Sequence, residues 1–173
     1  MGDASQELNW ERLPDMPAGK WEPASLVIDD KLVVLGGYAD YIMSSRRVDL
    51  FDPADNSWTQ LQDLPSALSH VNLVTDSDGK GFWFAGGMKD KRHPGKDHII
   101  AEVWQFDPDL DRYSAAPLLP GRRAGGGLER VGGRLHYVSG LMADRDTDAP
   151  EHWVFDLDAW HRQGDAAAAH WTE

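Results

Sequence analysis

Short apolar runs separated by Asp- and Gly-rich turns recur along the whole chain. "SLVI" (25–28) and "KLVVLGG" (31–37) flank Asp29-Asp30; "NLVT" (72–75) and "GFWFAGG" (81–87) flank "DSDG"; "GLERV" (127–131) and "RLHYVSG" (134–140) flank Gly132-Gly133. Such turns suit residues that tolerate positive φ, so each pair reads as a β-hairpin. A third run follows each pair: "RVDLFD", "AEVWQFD" and "EHWVFD". "DPADNS" and "DPDLDR" then read as turns, with Asp opening and Pro fixing φ. A fourth run carries Trp58 or Tyr113. Helical patterning is nearly absent; the one helix-like stretch, "DAAAAH" (165–170), is short and has no apolar stripe.

The landmarks share one period. The second glycine of each pair falls at Gly37, Gly87 and Gly140. A Phe-Asp pair follows each, at 51–52, 106–107 and 155–156. Trp58 and Tyr113 lie six residues after the first two aspartates, and Pro65 and Pro120 seven residues further on; Trp10 and Pro17 keep the same separation of seven. Four antiparallel strands repeated at about 50 residues match one blade of a β-propeller. Through "VLGG", "WFAGG", "VSGL", "LFDPADNSW", "QFDPDLDRY" and the "LPDMP", "LQDLP" and "PLLP" connectors, the chain resembles the kelch-repeat propellers from Trp10 to Trp171. More narrowly, "SHVNLV", "RLHYVSGL" and "DRDTDAPEHWVFDLD" look like a bacterial branch described as galactose-oxidase-like or sialic-acid-mutarotase-like. The fold class expected is all-β, a kelch-type β-propeller of about three four-stranded blades.

The expected divisions are a closing strand at 7–17 and blades at 18–65, 66–120 and 121–173, the last with an incomplete outer strand. Propellers have about 4–8 blades. Three therefore read either as half of a roughly six-bladed ring in a longer chain, or as a half-ring that closes as a head-to-tail homodimer. In both, the outer faces of the terminal blades are expected to be apolar. The paired glycines, Trp10, Trp58 and Tyr113 read as structural. Ser139, standing where the other repeats have glycine, suggests looser local geometry.

Charge narrows the partners. With 17 Lys and Arg against 29 Asp and Glu, the net charge is −12, which disfavours nucleic acid and anionic membranes. There is no cysteine, so thiol catalysis, disulfides and the cysteine-crosslinked copper chemistry of galactose oxidase do not apply. The start "MGDASQELNW" has neither a basic nor an apolar leader region, and the expected location is cytoplasmic.

The long connections are expected at one end of the blades, the usual place for binding on a rigid scaffold. Candidate ligand-binding residues there are Trp21, Glu22, Arg46, Arg47, His70, Asn72, Arg122, Arg123, Asp146 and His152. Glu22 and His70 each lie five residues after a connector proline and are expected to enter innermost strands facing the central channel; Gly125 is the third equivalent. A carboxylate and an imidazole there can shuttle protons, making Glu22 and His70 the catalytic candidates. "DRDTDAPEH" (144–152) begins like a calcium loop but has Ala149 and Phe155 where glycine and glutamate are required. The spacing in "RHPGKDH" (92–98) is a weak metal signal, His136 reads as structural, and no metal or cofactor is expected.

The functions this leaves are a binding module for a protein or carbohydrate, a mutarotase- or epimerase-like isomerase acting on a sialic-acid-type sugar, and a self-assembling half-propeller. In the second, the resemblance implies that Arg123 or Arg47 holds the sugar carboxylate.

Overall fold

The computed structural model describes residues 9–39, 43–89, 98–163 and 170–173. Among these, the chain forms β1 (Ala24–Ile28), β2 (Lys31–Leu35), β3 (Tyr38–Ala39), β4 (Met43–Ser44), β5 (Val48–Asp52), β6 (Ser57–Gln60), β7 (Leu68–Ser69), β8 (Asn72–Thr75), β9 (Phe82–Ala85), β10 (Met88–Lys89), β11 (His98–Ile99), β12 (Val103–Asp107), β13 (Arg112–Ala116), β14 (Gly127–Val131), β15 (Arg134–Val138) and β16 (His152–Asp156). One helix, α1 (Leu157–Gln163), follows. The protein is all-β, with three antiparallel meanders ordered β1-β2-β5-β6, β8-β9-β12-β13 and β14-β15-β16. Strand β8 packs between β1 and β14, so the first strand of each meander is innermost and the sheets fan out as consecutive propeller blades.

The period-2 pattern decides what each blade buries. One face of the first blade carries Leu26, Val33, Leu35, Val48 and Leu50, which pack with Phe82, Phe84 and Phe106 of the second. The opposite face of the second blade sets Trp83, Ala85 and Val103 against Leu128, Leu135, Tyr137, Trp153 and Phe155 of the third. Each fully buried Phe of this kind contributes roughly 1.5–3 kcal/mol through area removed from water.

The paired glycines perform two separate tasks. A Cβ on Gly36 would lie 2.6 Å from the Leu68 carbonyl oxygen of the next blade, and one on Gly86 would lie 2.4 Å from that of Arg123. The first glycine thus lets neighbouring blades touch backbone to backbone. The second is pressed within its own blade: a Cβ on Gly37 would meet the Trp21 carbonyl oxygen at 2.5 Å, and one on Gly140 that of Ala124 at 3.0 Å. Ser139 keeps the positive φ of this position (63°) and the shared hydrogen bond, its N–H donating to Glu151 O as Gly36 donates to Arg47 O and Gly86 to Glu102 O. Its side chain is exposed. The geometry is therefore conserved, not loosened, and a side chain is accommodated where no described blade closes in.

A second repeated contact stitches each blade to the connector before it. Trp58 Nε1 donates to Pro14 O at 3.1 Å, Tyr113 Oη to Gln62 O at 3.1 Å and Trp171 Nε1 to Pro117 O at 3.1 Å. Each acceptor lies three residues before a connector proline. The donor rings also pack on the Phe of the adjacent strand: Phe51–Trp58, Phe106–Tyr113 and Phe155–Trp171 centroids are 5.1, 4.9 and 5.3 Å apart.

The stretch expected as a closing strand forms no strand over its described residues, 9–17, and Trp10 is 95 % exposed. The helix-like stretch at 165–170 lies, but for its last residue, outside the described residues, and a helix at 157–163, where none was expected, follows β16. Asp156 accepts the Ala159 N–H at 2.8 Å and caps it. This detour separates Phe155 from Trp171, yet Thr172 still pairs with Val154 through two backbone hydrogen bonds of 2.7 and 2.9 Å. The slot that an N-terminal strand of a second copy would fill already holds Thr172. Finally, the outward face of the third blade is mixed, not apolar: exposed Val131 and Val138 alternate with Glu129, Arg134, His136, His152 and Asp156. On the outward face of the first blade, the cross-strand pair Val27 and Leu32 is exposed.

The rear of the first blade also holds a buried charge cluster. Lys20 Nζ lies 3.2 Å from Asp49 and donates to Arg47 O at 2.9 Å, while Arg47 Nε donates to Asp49 at 2.7 Å. Burial pushes the Lys20 ammonium below its ordinary pKa, and Asp49 opposes the shift. Asp49→Ala, which strands the Lys20 charge, is expected to cost about 3–5 kcal/mol in urea unfolding. Gly86→Ala is expected to destabilise by roughly 1–3 kcal/mol or more through strain and the clash with Arg123 O, whereas Ser139→Gly is expected to be neutral or stabilising by up to about 1 kcal/mol. Equal losses at the two positions would contradict the inter-blade role of the first glycine.

Candidate functional site

At the loop end, each blade begins with the same manoeuvre. Trp21, Ser69 and Ala124, four residues after a connector proline, pair with Tyr38, Met88 and Leu141, each the residue after the second glycine. The next residue then turns the chain into the innermost strand with positive φ: Glu22 at 47°, His70 at 52° and Gly125 at 63°. Only the third repeat uses glycine. In the other two, a carboxylate or imidazole side chain sits on a conformation that costs a non-glycine residue about 1–2 kcal/mol.

This turn brings Glu22 and His70 together. His70 Nε2 lies 3.1 Å from Glu22 Oε2, and the far ring nitrogen, Nδ1, is 3.1 Å from Ser69 Oγ. The Gly125 N–H donates to His70 O at 3.1 Å, so the three equivalent positions form a row across the blades. Tyr38 meets the imidazole edge-on at 5.9 Å. The Glu22 side chain is 59 % exposed and that of His70 33 %, and the neighbouring Trp21 is exposed. The row is a solvent-facing carboxylate–imidazole pair beside an indole. The pair can accept and donate hydrogen bonds, and the indole offers a stacking surface.

Other candidates are placed elsewhere. Asn72, with its amide oriented to satisfy both neighbours, accepts from the Tyr137 hydroxyl at 2.8 Å and donates to Gly126 O at 2.6 Å, tying the second blade to the third. Arg123 is buried at 6 % exposure: it pairs with Glu151 at 2.8 Å, donates to Arg122 O at 2.8 Å and lies 4.6 Å over the Trp153 ring. Arg47 is spent on Asp49 and on Gln60 at 2.9 Å. The expectation that one of these two arginines holds a ligand carboxylate meets guanidinium groups already committed to the scaffold. Arg46 donates to Leu64 O at 2.7 Å and lines an outer cleft of about 490 Å³ with Asp63, Trp104, Arg112 and Tyr113. Arg122 and Asp146 are exposed in their connections. His152 projects from the sheet face of the third blade, away from the row. Tyr41, Arg92 and His93 fall outside the described residues.

The loop of residues 141–149 holds itself. The Asp144 carboxylate accepts from the N–H groups of Asp146 and Thr147 at 3.1 and 3.0 Å and from Thr147 Oγ1 at 2.6 Å. These hydrogen bonds, the Thr147 hydroxyl first, pull its pKa down to about 2. The carboxylate so engaged holds the loop together.

Comparison with known proteins gives this architecture its place. A family model for the kelch motif matches residues 22–65. A kelch repeat-containing protein of Arabidopsis thaliana is 27 % identical over 165 residues, covering 91 % of this chain and 38 % of the relative. Mouse Kelch-like protein 35 is 28 % identical, covering 93 % of this chain and 26 % of the relative. The chain carries a kelch motif and is similar to kelch-repeat proteins along most of its length. It spans less than two-fifths of the length of those relatives. N-acetylneuraminate epimerase of Pasteurella multocida is 30 % identical over 84 residues, 46 % of this chain and 22 % of the enzyme. A solved structure titled "Structure of YjhT" superposes with a TM-score of 0.76 at 16 % identity, covering 95 % of this chain and 49 % of that one, and so shares the fold.

The tie behind the row sets a pH limit on this chain. Burial pushes the Tyr137 phenol up to about 12 and raises Tyr113 as well. An unfolded tyrosine ionises near pH 10. Below that pH both states hold the proton and the burial is fully favourable. Between pH 10 and 12 the unfolded chain releases protons first, and stability falls by roughly 1–3 kcal/mol. Urea midpoints measured from pH 8 to 11.5 are expected to drop from about pH 10, and Tyr137→Phe to flatten the drop.

Proposed function

We propose that this protein is a kelch-repeat binding module whose ligand face is the loop end around Trp21, Glu22 and His70. The carrying observation is the Glu22–His70 pair, held across two blades by positive-φ turns beside an exposed indole. Tryptophan is among the side chains most enriched at binding hot spots, and a rigid carboxylate–imidazole pair supplies oriented polar contacts. A protein partner fits best, because Arg47 and Arg123 are committed to the scaffold and the described surface there offers an indole and a carboxylate–imidazole pair. Two variants test it on a partner first identified by crosslinking with wild-type protein. Trp21→Ala is expected to weaken binding by at least tenfold and Glu22→Gln several-fold, with unchanged melting. Undiminished binding by both variants overturns this assignment of the face.

A second reading is favoured by the likeness to N-acetylneuraminate epimerase: the same row acts on a sugar acid. Glu22 and His70 would then move the proton between the ring oxygen and the anomeric hydroxyl, one removing and one donating it. NMR exchange spectroscopy with N-acetylneuraminate measures this directly. Anomer interconversion faster than buffer alone, abolished by Glu22→Gln, supports the isomerase reading; a rate equal to buffer excludes it.

A further inference from the structure

On the outward sheet face of the third blade, His136 Nδ1 and His152 Nε2 face each other at 2.9 Å. The ring centroids are 5.1 Å apart. The two residues are diagonal neighbours on adjacent strands: His136 sits opposite Val154, and His152 opposite Val138. The positions are informative. Counted from the shared Phe, His136 stands where the other blades bury Val33 and Trp83, and His152 where they bury Val48 and Val103. Packing gives no reason to place two imidazoles side by side at sites that otherwise hold aliphatic or aromatic groups.

We propose that His136 and His152 form a two-nitrogen site for a late first-row divalent ion with tetragonal geometry, Cu²⁺ or Ni²⁺. Two ligands in cis positions at metal–nitrogen distances of about 2.0–2.1 Å lie roughly 2.8–3.0 Å apart, whereas tetrahedral zinc at the same bond length sets its ligands roughly 3.3–3.4 Å apart. The observed nitrogen separation suits the first arrangement without moving either strand. Imidazole also suits these ions, and Cu²⁺ heads the affinity order of the divalent series. In the metal-free pair one ring nitrogen carries the hydrogen between them. Metal binding moves that hydrogen to the other nitrogen of the same ring, so both facing nitrogens present lone pairs and no net proton is released. Among the described residues no three His, Asp or Glu side chains converge on one point, so the described part of the chain offers these two imidazoles as ligands. Glu129, the cross-strand partner of His136, adds negative charge to the same face. The site lies on the outward sheet face of the third blade, apart from the Glu22–His70 row, and does not depend on the role proposed for that row.

The test uses the whole chain with CuCl₂ and, in parallel, NiCl₂. Titration followed by electron paramagnetic resonance is expected to give one tetragonal Cu²⁺ signal with superhyperfine splitting from two nitrogens. The melting temperature is expected to rise with added metal, as a ligand that binds only the folded state requires. His136→Gln and His152→Gln should each weaken Cu²⁺ binding at least tenfold and remove the splitting, while melting as wild type without metal. If the double variant binds Cu²⁺ as tightly as wild type, or the wild-type signal carries no two-nitrogen pattern, the site is not there. Should either substitution lower the metal-free melting point, Val138→Thr is the control: it alters the same face but keeps both imidazoles, and must retain the signal.

Discussion

The structure depends on how closely the backbones of successive blades approach at the inner strand ends. At Gly36 and Gly86 the next blade's carbonyl oxygen lies where a side chain would begin. That contact sets the spacing of the sheets, which sets the volume that Phe82, Phe84 and Phe106 fill on one side and Trp83, Tyr137 and Trp153 on the other. Widening the gap by one methyl group would open voids along a whole face, because close-packed interiors absorb such changes poorly. The repeated turn into the inner strand is fixed by the same crowding. With the second glycine pressed against the carbonyl of Trp21, Ser69 or Ala124, the following residue takes a positive φ and aims its side chain at the rim.

Much of the fold was legible in the sequence, because its devices are chemical and periodic. Asp29-Asp30 and Gly132 take the positive φ expected of their turns, and the alternation in "KLVVL" and "FWFA" leads to strands in the expected hairpins. The Glu22–His70 meeting was legible for the same reason: two residues at the same offset from a connector proline occupy equivalent places in adjacent blades. The helix at 157–163 was not legible, since its seven residues carry no apolar stripe and their support comes from Asp156 and from Trp160 packing on Phe155.

The side-chain commitments were the least legible. Arg47 and Arg123 read as ligand-binding because they stand in the expected connections, but linear sequence gives no sign that Arg47 folds onto Asp49 at the start of β5, or that Glu151 and Trp153, at the far end of the next long connection, meet Arg123. Lys20 and Arg123 hold equivalent positions in their repeats and each meets a carboxylate, Asp49 or Glu151, with Arg123 lying over the Trp153 indole as well. The His136–His152 contact escaped for a related reason: it depends on the register between β15 and β16, which the long connection between those strands leaves unspecified in sequence.

The aromatic-to-connector hydrogen bonds also carry a temporal consequence. Pro14, Gln62 and Pro117 each precede the ring that donates to them. During synthesis from the N-terminus, every sheet therefore emerges to find the seat for its outermost ring already made. Assembly can proceed as ordered docking in the direction of translation, each unit closing backward onto finished chain instead of waiting for residues still inside the ribosome.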